Sequence, residues 1–339
     1  MRLSVLDQSP ISEDMTGSQA LHNTLDLARL ADELGYTRYW VAEHHGGPML
    51  AGPSPEALIG PIASVTERIR VGSGGVMLPH YSPFKVAETF SLLAGLFPGR
   101  IDLGIGRAAG TDPMTTHALQ RDRGRALPDD FPQQLTELLA YYEGTIPPSN
   151  PLHRLMKVLP GRPETPPVWL LGSSPQSALW AGELGLPYSF ADFINPAGAE
   201  IAALYRREFR PGVRREDPLT SVAVWALAAD SEEEAVQLAA SSKMAFAMLR
   251  RGRLIPVPPP EEAVRFLERE GETLSHRRRS IVGTPAQVRE GIERVAAEYG
   301  AEEVIVVTIT YDHAARRRSY ELIAAEFGLA PSAVAATAT

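Results

Sequence analysis

The sequence contains no cysteine among its 339 residues. This absence excludes disulfide bonds, thiolate metal ligands and cysteine nucleophiles, and it suits a reducing compartment, so we expect a cytoplasmic protein. The chain also has no apolar run of about 18 residues, so we expect no membrane-spanning helix. A His-Glu-x-x-His motif and carboxylate pairs at ligand spacing are missing as well, and no metal site is predicted.

Positive charge is scarce, because 33 lysines and arginines face 41 aspartates and glutamates and the net charge is −8. An acidic surface repels phosphate backbones, so a nucleic-acid partner is not expected. Two arginine runs interrupt this pattern, at residues 277–279 and 316–318. We interpret the first run as part of a solvated loop and the second as the exposed face of the last helix.

Eight short apolar segments alternate along the chain with segments of helical periodicity. The strands are predicted at residues 3–6, 39–42, 69–78, 101–105, 168–171, 188–191, 221–229 and 304–310. This order predicts an α/β fold of the (β/α)₈ TIM-barrel type, and a doubly wound sheet is the alternative. A polar insertion over residues 108–130 follows strand four, and an insertion broken by prolines at 256 and 260 follows strand seven. We predict one domain over residues 1–329 and a disordered tail over residues 330–339.

The loops that follow the carboxyl ends of the strands carry the chemistry of a TIM barrel. His44 follows strand two in the tripeptide EHH, and a histidine at this position can donate or accept a proton near neutral pH. The alternative is a structural histidine that pairs with Glu43. His44 is therefore the candidate catalytic residue, with both roles open.

Three glycines lie in strand three, within the stretch GSGG at residues 72–75. Glycine weakens a strand, so a run of glycines needs a reason of its own. One interpretation is the close approach of a flat ligand to Gly74 and Gly75. The other is a bulge or tight bend in the barrel wall.

Strand four ends in GIGRAA at residues 104–109, which satisfies the loose G-x-G-x-x-[GA] dinucleotide pattern. No helix follows at once, and the strand that should carry a ribose-binding acid about 20 residues later is missing, so we do not assign a dinucleotide site. Arg107 is instead a candidate phosphate ligand, because its planar guanidinium can bind two oxygens. A surface salt bridge is the alternative.

After strand five the chain reads GSSPQS over residues 172–177. Backbone N–H groups and small hydroxyl residues at a helix N-terminus bind phosphate well, and an ordinary serine N-cap is the alternative. Strands four and five are neighbours in a barrel. We therefore expect Arg107 to converge with Ser173 and Ser174 on one phosphate group.

At these residues the sequence resembles the bacterial-luciferase-like flavin monooxygenase family. The matching stretches, which run from residue 3 to residue 327, are LSVLDQSPI, RYWVAEHH, IRVGSGGVMLPHYSPFKVAETF, PGRIDLGIGRAAGTDP, VWLLGSS and YDHAARRRSYELIAAEF. The resemblance implies a barrel that binds FMN at its carboxyl-terminal mouth. It matches the family's histidine to His44, and it implies a non-proline cis peptide between Gly74 and Gly75.

The resemblance also implies a set of cofactor-binding residues. They are Gly74, Gly75, Gly106, Arg107, Gly172, Ser173, Ser174 and Ser177. A second phosphate-binding arginine is expected from the insertion after strand four, where Arg121, Arg123 and Arg125 stay open as alternatives. The luciferase proper has a cysteine in place of Gly106 and an acidic residue in place of Ser173, which argues against light emission and not against flavin binding.

The implied activity is a monooxygenase in which reduced FMN, supplied by a separate flavin reductase, reacts with molecular oxygen and a small organic substrate is oxygenated. A homodimer is implied as well. Two alternatives stay open: a deazaflavin- or nicotinamide-linked oxidoreductase that transfers hydride on the same barrel, and a non-catalytic flavin-binding protein. We expect the insertion after strand four and the loop near Pro256 to form a lid.

Overall fold

The computed structural model describes residues 1–107, 112–120, 123–124, 130–270 and 279–331. Its strands are β1 (Arg2–Asp7), β2 (Arg38–Val41), β3 (Arg70–Met77), β4 (Ile101–Gly106), β5 (Val168–Gly172), β6 (Tyr188–Ala191), β7 (Thr220–Ala228), β8 (Ser280–Gly283) and β9 (Glu303–Val307). Its α-helices are α1 (Gly17–Leu34), α2 (Pro55–Ser64), α3 (Pro83–Leu96), α4 (Pro113–Leu119), α5 (Phe131–Glu143), α6 (Pro175–Glu183), α7 (Ala199–Glu208), α8 (Glu232–Arg250), α9 (Pro260–Glu270), α10 (Pro285–Tyr299) and α11 (His313–Phe327). Two 3-10 helices, Leu78–His80 and Pro151–Val158, lie between them.

The strands form one parallel sheet in the order β6-β5-β4-β3-β2-β1-β9-β7-β8. Because β6 also pairs with β7, eight of the nine strands close into a barrel, and β8 lies outside the closed ring. Helices follow the barrel strands and cover the outside of the ring. The predicted (β/α)₈ barrel with insertions after strands four and seven is confirmed.

The second insertion holds two elements that the sequence analysis missed. The short strand β8 pairs with the carboxyl end of β7, from Trp225 to Ala228, and four residues are too few to show a periodicity. Helix α9 begins at Pro260, directly after the proline run that was expected only to break the chain. Proline is tolerated in the first turn of a helix, where its missing N–H has no intrahelical partner to lose.

The first insertion and the tail are described in part. Helix α4 begins after Asp112, whose carboxylate accepts the N–H groups of Met114 and Thr115, so this piece of the polar insertion is helical. Residues 332–339 of the predicted tail lie outside the described residues. Among the helices of the described ranges, none is long and apolar enough to cross a membrane.

Charged side chains close the amino-terminal end of the barrel. Arg38 contacts Asp102 at 2.6 Å and Glu303 at 2.9 Å, and all three side chains are buried. The guanidinium of Arg38 also lies 4.7 Å from the ring centroid of Trp169, which packs edge-on against Trp40. Buried charges survive here because they are mutually paired. These side chains fill the interior of the barrel at this end, and the general rule for TIM barrels places a ligand at the opposite mouth.

The interpretation of the second arginine run as solvent-exposed is wrong for Arg316. Its guanidinium is buried, contacts the Asp7 carboxylate at 2.6 Å and donates to the carbonyl of Thr308. Burial alone would raise the pKa of Asp7, but the Arg316 charge and its hydrogen bonds lower it below the usual value. Arg318, two residues on, is exposed and pairs with Asp230. In a helix each residue turns by about 100°, so one member of the run faces the barrel.

The first arginine run falls mostly outside the described residues, which include only Arg279. This side chain is partly buried rather than fully solvated. It contacts Glu298 at 2.6 Å and lies 3.6 Å from the buried carboxylate of Asp192.

Candidate active site

The carboxyl-terminal mouth of the barrel is lined by side chains that follow the inward register of the strands. Residues two apart on a strand point to the same face. Leu6 and Trp40 belong to the apolar cluster inside the barrel. The same register therefore places Gln8, after β1, and His44, after β2, at the top of the barrel interior.

His44 is held by its backbone and left open at its ring. Its N–H donates to the carbonyl of Gly52 at 3.0 Å. The ring Nδ1 is buried and has no hydrogen-bond partner among the described residues. Burial lowers the pKa of His44 to about 4, and the adjacent His45 adds to the effect. His44 is therefore a neutral imidazole at neutral pH, able to accept a proton or a hydrogen bond, and it is a poor proton donor there.

Glu43 is the structural partner of His45, and not of His44. Its carboxylate contacts the ring Nε2 of His45 at 2.8 Å and accepts the N–H of Met77 at 2.9 Å. The hydroxyl of Tyr81 donates to the same carboxylate at 3.1 Å. Glu43 thus connects the loop after β2 to the end of β3. The structural histidine that pairs with Glu43 is therefore His45.

Gln8 is a mouth residue that the sequence analysis missed. Its side chain is 5% exposed, and its Oε1 has no hydrogen-bond partner within the part of the chain that the structure describes. A buried amide oxygen without a partner is costly, about 1–3 kcal/mol, unless a ligand or water satisfies it. The signal was available, because the alternation of Ser4 and Leu6 continues to Gln8.

The peptide between Gly74 and Gly75 is cis, as the resemblance implied, and the register of β3 against β4 shifts between Gly74 and Val76. The interpretation of these glycines as an irregularity in the barrel wall is therefore confirmed, and the close approach of a flat ligand stays a prediction. A Cβ on Gly74 would lie 2.6 Å from Leu6 Cδ1, and one on Gly75 would lie 2.8 Å from the carbonyl oxygen of Gly104. Protein atoms already require glycine at both positions, because the Leu6 and Leu171 side chains lie where a Cβ would project.

Gly106 and Arg107 lie at the end of β4. Gly106 pairs with Met77 of β3, and a Cβ on it would lie 2.9 Å from the flexible end of Met77. Arg107 is exposed, and its guanidinium lies 5.6 Å from the ring centroid of Trp180 on α6. The salt-bridge alternative finds no support in the described residues, where no carboxylate pairs with Arg107.

The loop after β5 has the expected helix N-terminus. Ser174 is the N-cap of α6, and its hydroxyl accepts the N–H of Ser177 at 3.4 Å. The hydroxyl of Ser177 is buried, donates to the Ser174 carbonyl and lies 2.9 Å from the hydroxyl of Tyr188. Gly172 packs directly beneath, because a Cβ on it would overlap Ser177. Ser173 and Ser174 remain accessible, whereas Ser177 and Gly172 have structural roles.

Arg107 and this loop lie on the same side of the barrel. Ile105 of β4 pairs with Leu170 of β5, so Arg107 and Gly172 follow at the same level. The contact of Arg107 with Trp180 places its side chain along α6, the helix that Ser174 caps. The structure places Arg107 and the loop after β5 at the same edge of the barrel, and the convergence of Arg107 with Ser173 and Ser174 on one phosphate stays a prediction.

Of the three alternatives for a second arginine, Arg121 and Arg125 lie outside the described residues. Arg123 is exposed, and its guanidinium donates to the carbonyl of Ala118 at the end of α4. This contact does not decide whether Arg123 is the second phosphate-binding arginine.

The loops of three segments cover one side of the mouth. The N–H of Ile11 donates to the carbonyl of Met49 at 2.8 Å, and the N–H of Val257 donates to the carbonyl of Ile11 at 2.8 Å. Val257 is fully buried and joins the apolar cluster of the barrel interior. The segment near Pro256, which was expected to be part of a lid, pairs with Ile11 through its backbone and forms a roof over this side of the mouth; its opening and closing as a lid stays a prediction.

Comparison with known proteins gives one family over most of the chain, since residues 1–303 match the family described as luciferase-like monooxygenase. A luciferase-like monooxygenase of Escherichia coli (strain K12) is 42% identical over 323 residues, which cover 94% of this chain and 95% of the relative. N-acetyl-S-alkylcysteine monooxygenase of Bacillus subtilis (strain 168) is 38% identical over 333 residues, which cover 95% and 97%.

Solved structures give the same fold. The structure of apo-MsnO8 has a TM-score of 0.88 and 40% identity, with 98% of both chains covered. The oxygenating constituent of 3,6-diketocamphane monooxygenase from Pseudomonas putida, in complex with FMN, has a TM-score of 0.72 at 20% identity over 98% of each chain. An F420-dependent secondary alcohol dehydrogenase has a TM-score of 0.65 at 15% identity, covering 95% of this chain and 97% of the dehydrogenase. At these lower identities the similarity shows the fold alone.

Proposed function

This chain belongs to the luciferase-like monooxygenase family, and on that premise we propose that it uses reduced FMN and molecular oxygen to oxygenate a small organic substrate. The observation that carries the proposal is the mouth itself. Two buried polar atoms, His44 Nδ1 and Gln8 Oε1, have no partner among the described residues there, and Gly74 and Gly75 lie in the barrel wall. Such atoms fit a polar, flat ligand that lies against the wall.

The residues of the mouth fit FMN at both of its ends. Arg107 would bind the phosphate, and Ser173 and Ser174 would add their hydroxyls at the positive end of the α6 dipole. The ring system would lie near Gly74 and Gly75, against the side chains that pack on them. FMN bound in its reduced form supplies the reaction with oxygen, and the protein supplies the binding site and the dry surroundings.

His44 and Gln8 would meet the polar edge of the ligand. Because His44 is neutral near pH 7, its Nδ1 can accept a hydrogen bond or take a proton from a group that becomes acidic during the reaction. The carboxamide of Gln8 can only accept at Oε1, so it orients an N–H or O–H group of the ligand. The roof that Ile11 and Val257 form would keep bulk water away from this side of the site.

The proposal includes two partners and a compartment. A separate flavin reductase would supply reduced FMN in a reducing cytoplasm. A second copy of the chain would make a homodimer, for which Leu92 and Leu96 are candidate contacts. These side chains lie one turn apart on α3 and are 47% and 64% exposed. We expect Leu96→Glu to convert a dimer into a monomer in size-exclusion chromatography, and an unchanged elution volume would remove this face from the interface.

The test of the activity combines the purified protein with a flavin reductase, FMN and isotopically labelled molecular oxygen. The substrate panel includes thioethers such as an N-acetyl-S-alkylcysteine, because a relative at 38% identity is named for that substrate. We expect one labelled oxygen atom in a product, detected by mass spectrometry. The variant His44→Gln should bind FMN and form that product more slowly.

Two outcomes would favour the alternatives. Tighter binding of the reduced deazaflavin coenzyme than of reduced FMN, with substrate oxidation that incorporates no label, would indicate the hydride-transfer oxidoreductase. Tight FMN binding with no product from any panel member, in both the native protein and His44→Gln, would indicate a flavin-binding protein.

A further inference from the structure

A cavity of about 680 Å³ lies between the second insertion and the barrel, away from the loops after β4 and β5. Its inner wall is formed by the carboxyl ends of β7 and β9, with Trp225, Val307 and Ile309, which belong to the apolar cluster inside the barrel. Its volume is in the range of small-molecule sites, about 300–1,000 Å³. None of the mouth residues discussed above lines it.

The outer wall of the cavity is one face of α8. Val236, Lys243, Phe246 and Arg250 line it at helical spacing, while a neighbouring face of α8 packs on α9, which adds Leu267 and Glu268 to the lining. The rings of Phe246 and Trp225 lie 4.9 Å apart between centroids at an angle of 60°, so the two walls meet on an aromatic contact. The cavity is therefore apolar over most of its surface.

Charge in the cavity is unbalanced toward positive. Four charged side chains line it: Lys243, Arg250, Arg279 and Glu268. Arg279 is neutralised by Glu298 and Asp192. Lys243 and Arg250 form no ion pair with any described residue. Solvent reaches Lys243, yet partial burial still lowers its pKa from the ordinary value, because the surrounding walls remove part of its water.

The fact that residue 243 is a lysine also favours an anionic ligand. The chain has 33 lysines and arginines, of which only Lys85, Lys157 and Lys243 are lysines. A compact ammonium on a flexible stem suits a single anionic group at the end of an apolar pocket. A carboxylate would add an ion pair with this ammonium, which a neutral ligand cannot form.

We infer that this cavity binds an amphipathic organic anion, with its apolar part against Trp225, Phe246 and Val307 and its carboxylate at the ammonium of Lys243. The inner wall belongs to the same apolar cluster as Val257 of the roof, and on this basis we assign the cavity to one end of a substrate. That the bound molecule is a substrate rests on the proposed function. That the cavity binds such an anion does not.

The test measures binding alone, in the full-length protein without flavin or reductase. Decanoate is the probe, and 1-decanol and decylamine are the comparison ligands of equal chain length, all titrated calorimetrically. We expect saturable binding of decanoate, weaker binding of 1-decanol and the weakest binding of decylamine. Lys243→Met should weaken decanoate binding about tenfold, the lower range for a charge-assisted contact that solvent reaches, and should leave 1-decanol unchanged.

Control variants keep the result specific. Lys243→Arg should retain decanoate binding, and Lys157→Met, at an exposed position outside the cavity, should have no effect. Val236→Trp narrows the cavity and should weaken the binding of both decanoate and 1-decanol. Val236 is exposed, so we expect this substitution to leave the fold intact. Its control is Gln237→Trp, next to it on α8 and outside the lining.

Three results would overturn the inference. Absence of saturable decanoate binding would remove the site. Equal decanoate affinity of the native protein and Lys243→Met would remove the carboxylate contact. Full decanoate affinity in Val236→Trp would place the ligand elsewhere. Because no arm of this experiment contains flavin or measures turnover, none of these results bears on the proposed monooxygenase activity.

Discussion

Replacing His44 by glutamine should make the protein less sensitive to acid. His44 is a neutral imidazole that is partly exposed but has a buried Nδ1, and its pKa is about 4 in the folded protein against 6.5 when free. Between pH 6.5 and pH 4 the His44 imidazole is therefore protonated in the unfolded chain and neutral in the folded chain. Stability is fully present above pH 6.5 and is lost as the pH falls toward 4.

The size of the effect follows from the two pKa values. Each unit of difference corresponds to about 1.4 kcal/mol, so the full loss is about 3 kcal/mol. At pH 5 the loss is about 2 kcal/mol, because His44 is by then mostly protonated in the unfolded chain and mostly neutral in the folded one. Glutamine has a similar length and no charge in either state, so the substitution removes this pH-dependent loss of free energy of unfolding.

Urea unfolding at pH 7.5 and pH 5 measures the difference. The native protein should lose about 2 kcal/mol more free energy of unfolding between the two pH values than His44→Gln does. His22→Gln, an exposed position on α1, should behave like the native protein. An equal loss in the native protein and His44→Gln would mean that His44 is hydrated or partnered in solution, and the burial argument for this residue would be wrong.

Three further predictions follow from single contacts. Arg107→Met should weaken FMN binding by about 1.5 kcal/mol and leave riboflavin binding unchanged in a fluorescence titration; equal losses for both ligands would exclude a phosphate contact. Arg316→Met should lower the free energy of unfolding by about 3–5 kcal/mol, because it leaves Asp7 buried without its partner, and a urea midpoint near the native value would contradict this. Gly104→Ala should destabilise by about 1–3 kcal/mol, since its Cβ would overlap the carbonyl of Ser73, whereas Gly212→Ala, with open space around it, should be neutral in the same assay.

The barrel could be predicted because its strands are long enough to show a pattern. Eight apolar segments in fixed alternation with helices leave few topologies, and the rule that chemistry follows the carboxyl ends of strands then selects His44 and Arg107. The short β8 carries too few residues for any pattern. The start of α9 was hidden because prolines both break chains and begin helices.

Side-chain environments were harder to predict than positions. The sequence places His44 at the mouth, but its neutral state depends on burial by loops that are distant along the chain. Arg316 can be buried because its guanidinium donates a hydrogen bond to the carboxylate of Asp7, which is more than 300 positions away in the sequence. The glycines of β3 allowed either a ligand or a bulge, and only the contacts of neighbouring strands show that protein atoms already require them. The cavity beside α8 could not be foreseen, because it depends on how that helix sits over the barrel.

A crystal structure of the protein soaked with FMN tests the central claim most directly. We predict a phosphate within hydrogen-bonding distance of the Arg107 guanidinium and the first turn of α6, with the ring system against Gly74 and Gly75 and within reach of His44. A phosphate bound at another edge of the barrel, with Arg107 still packed on Trp180 and His44 Nδ1 still without a ligand contact, would contradict the account.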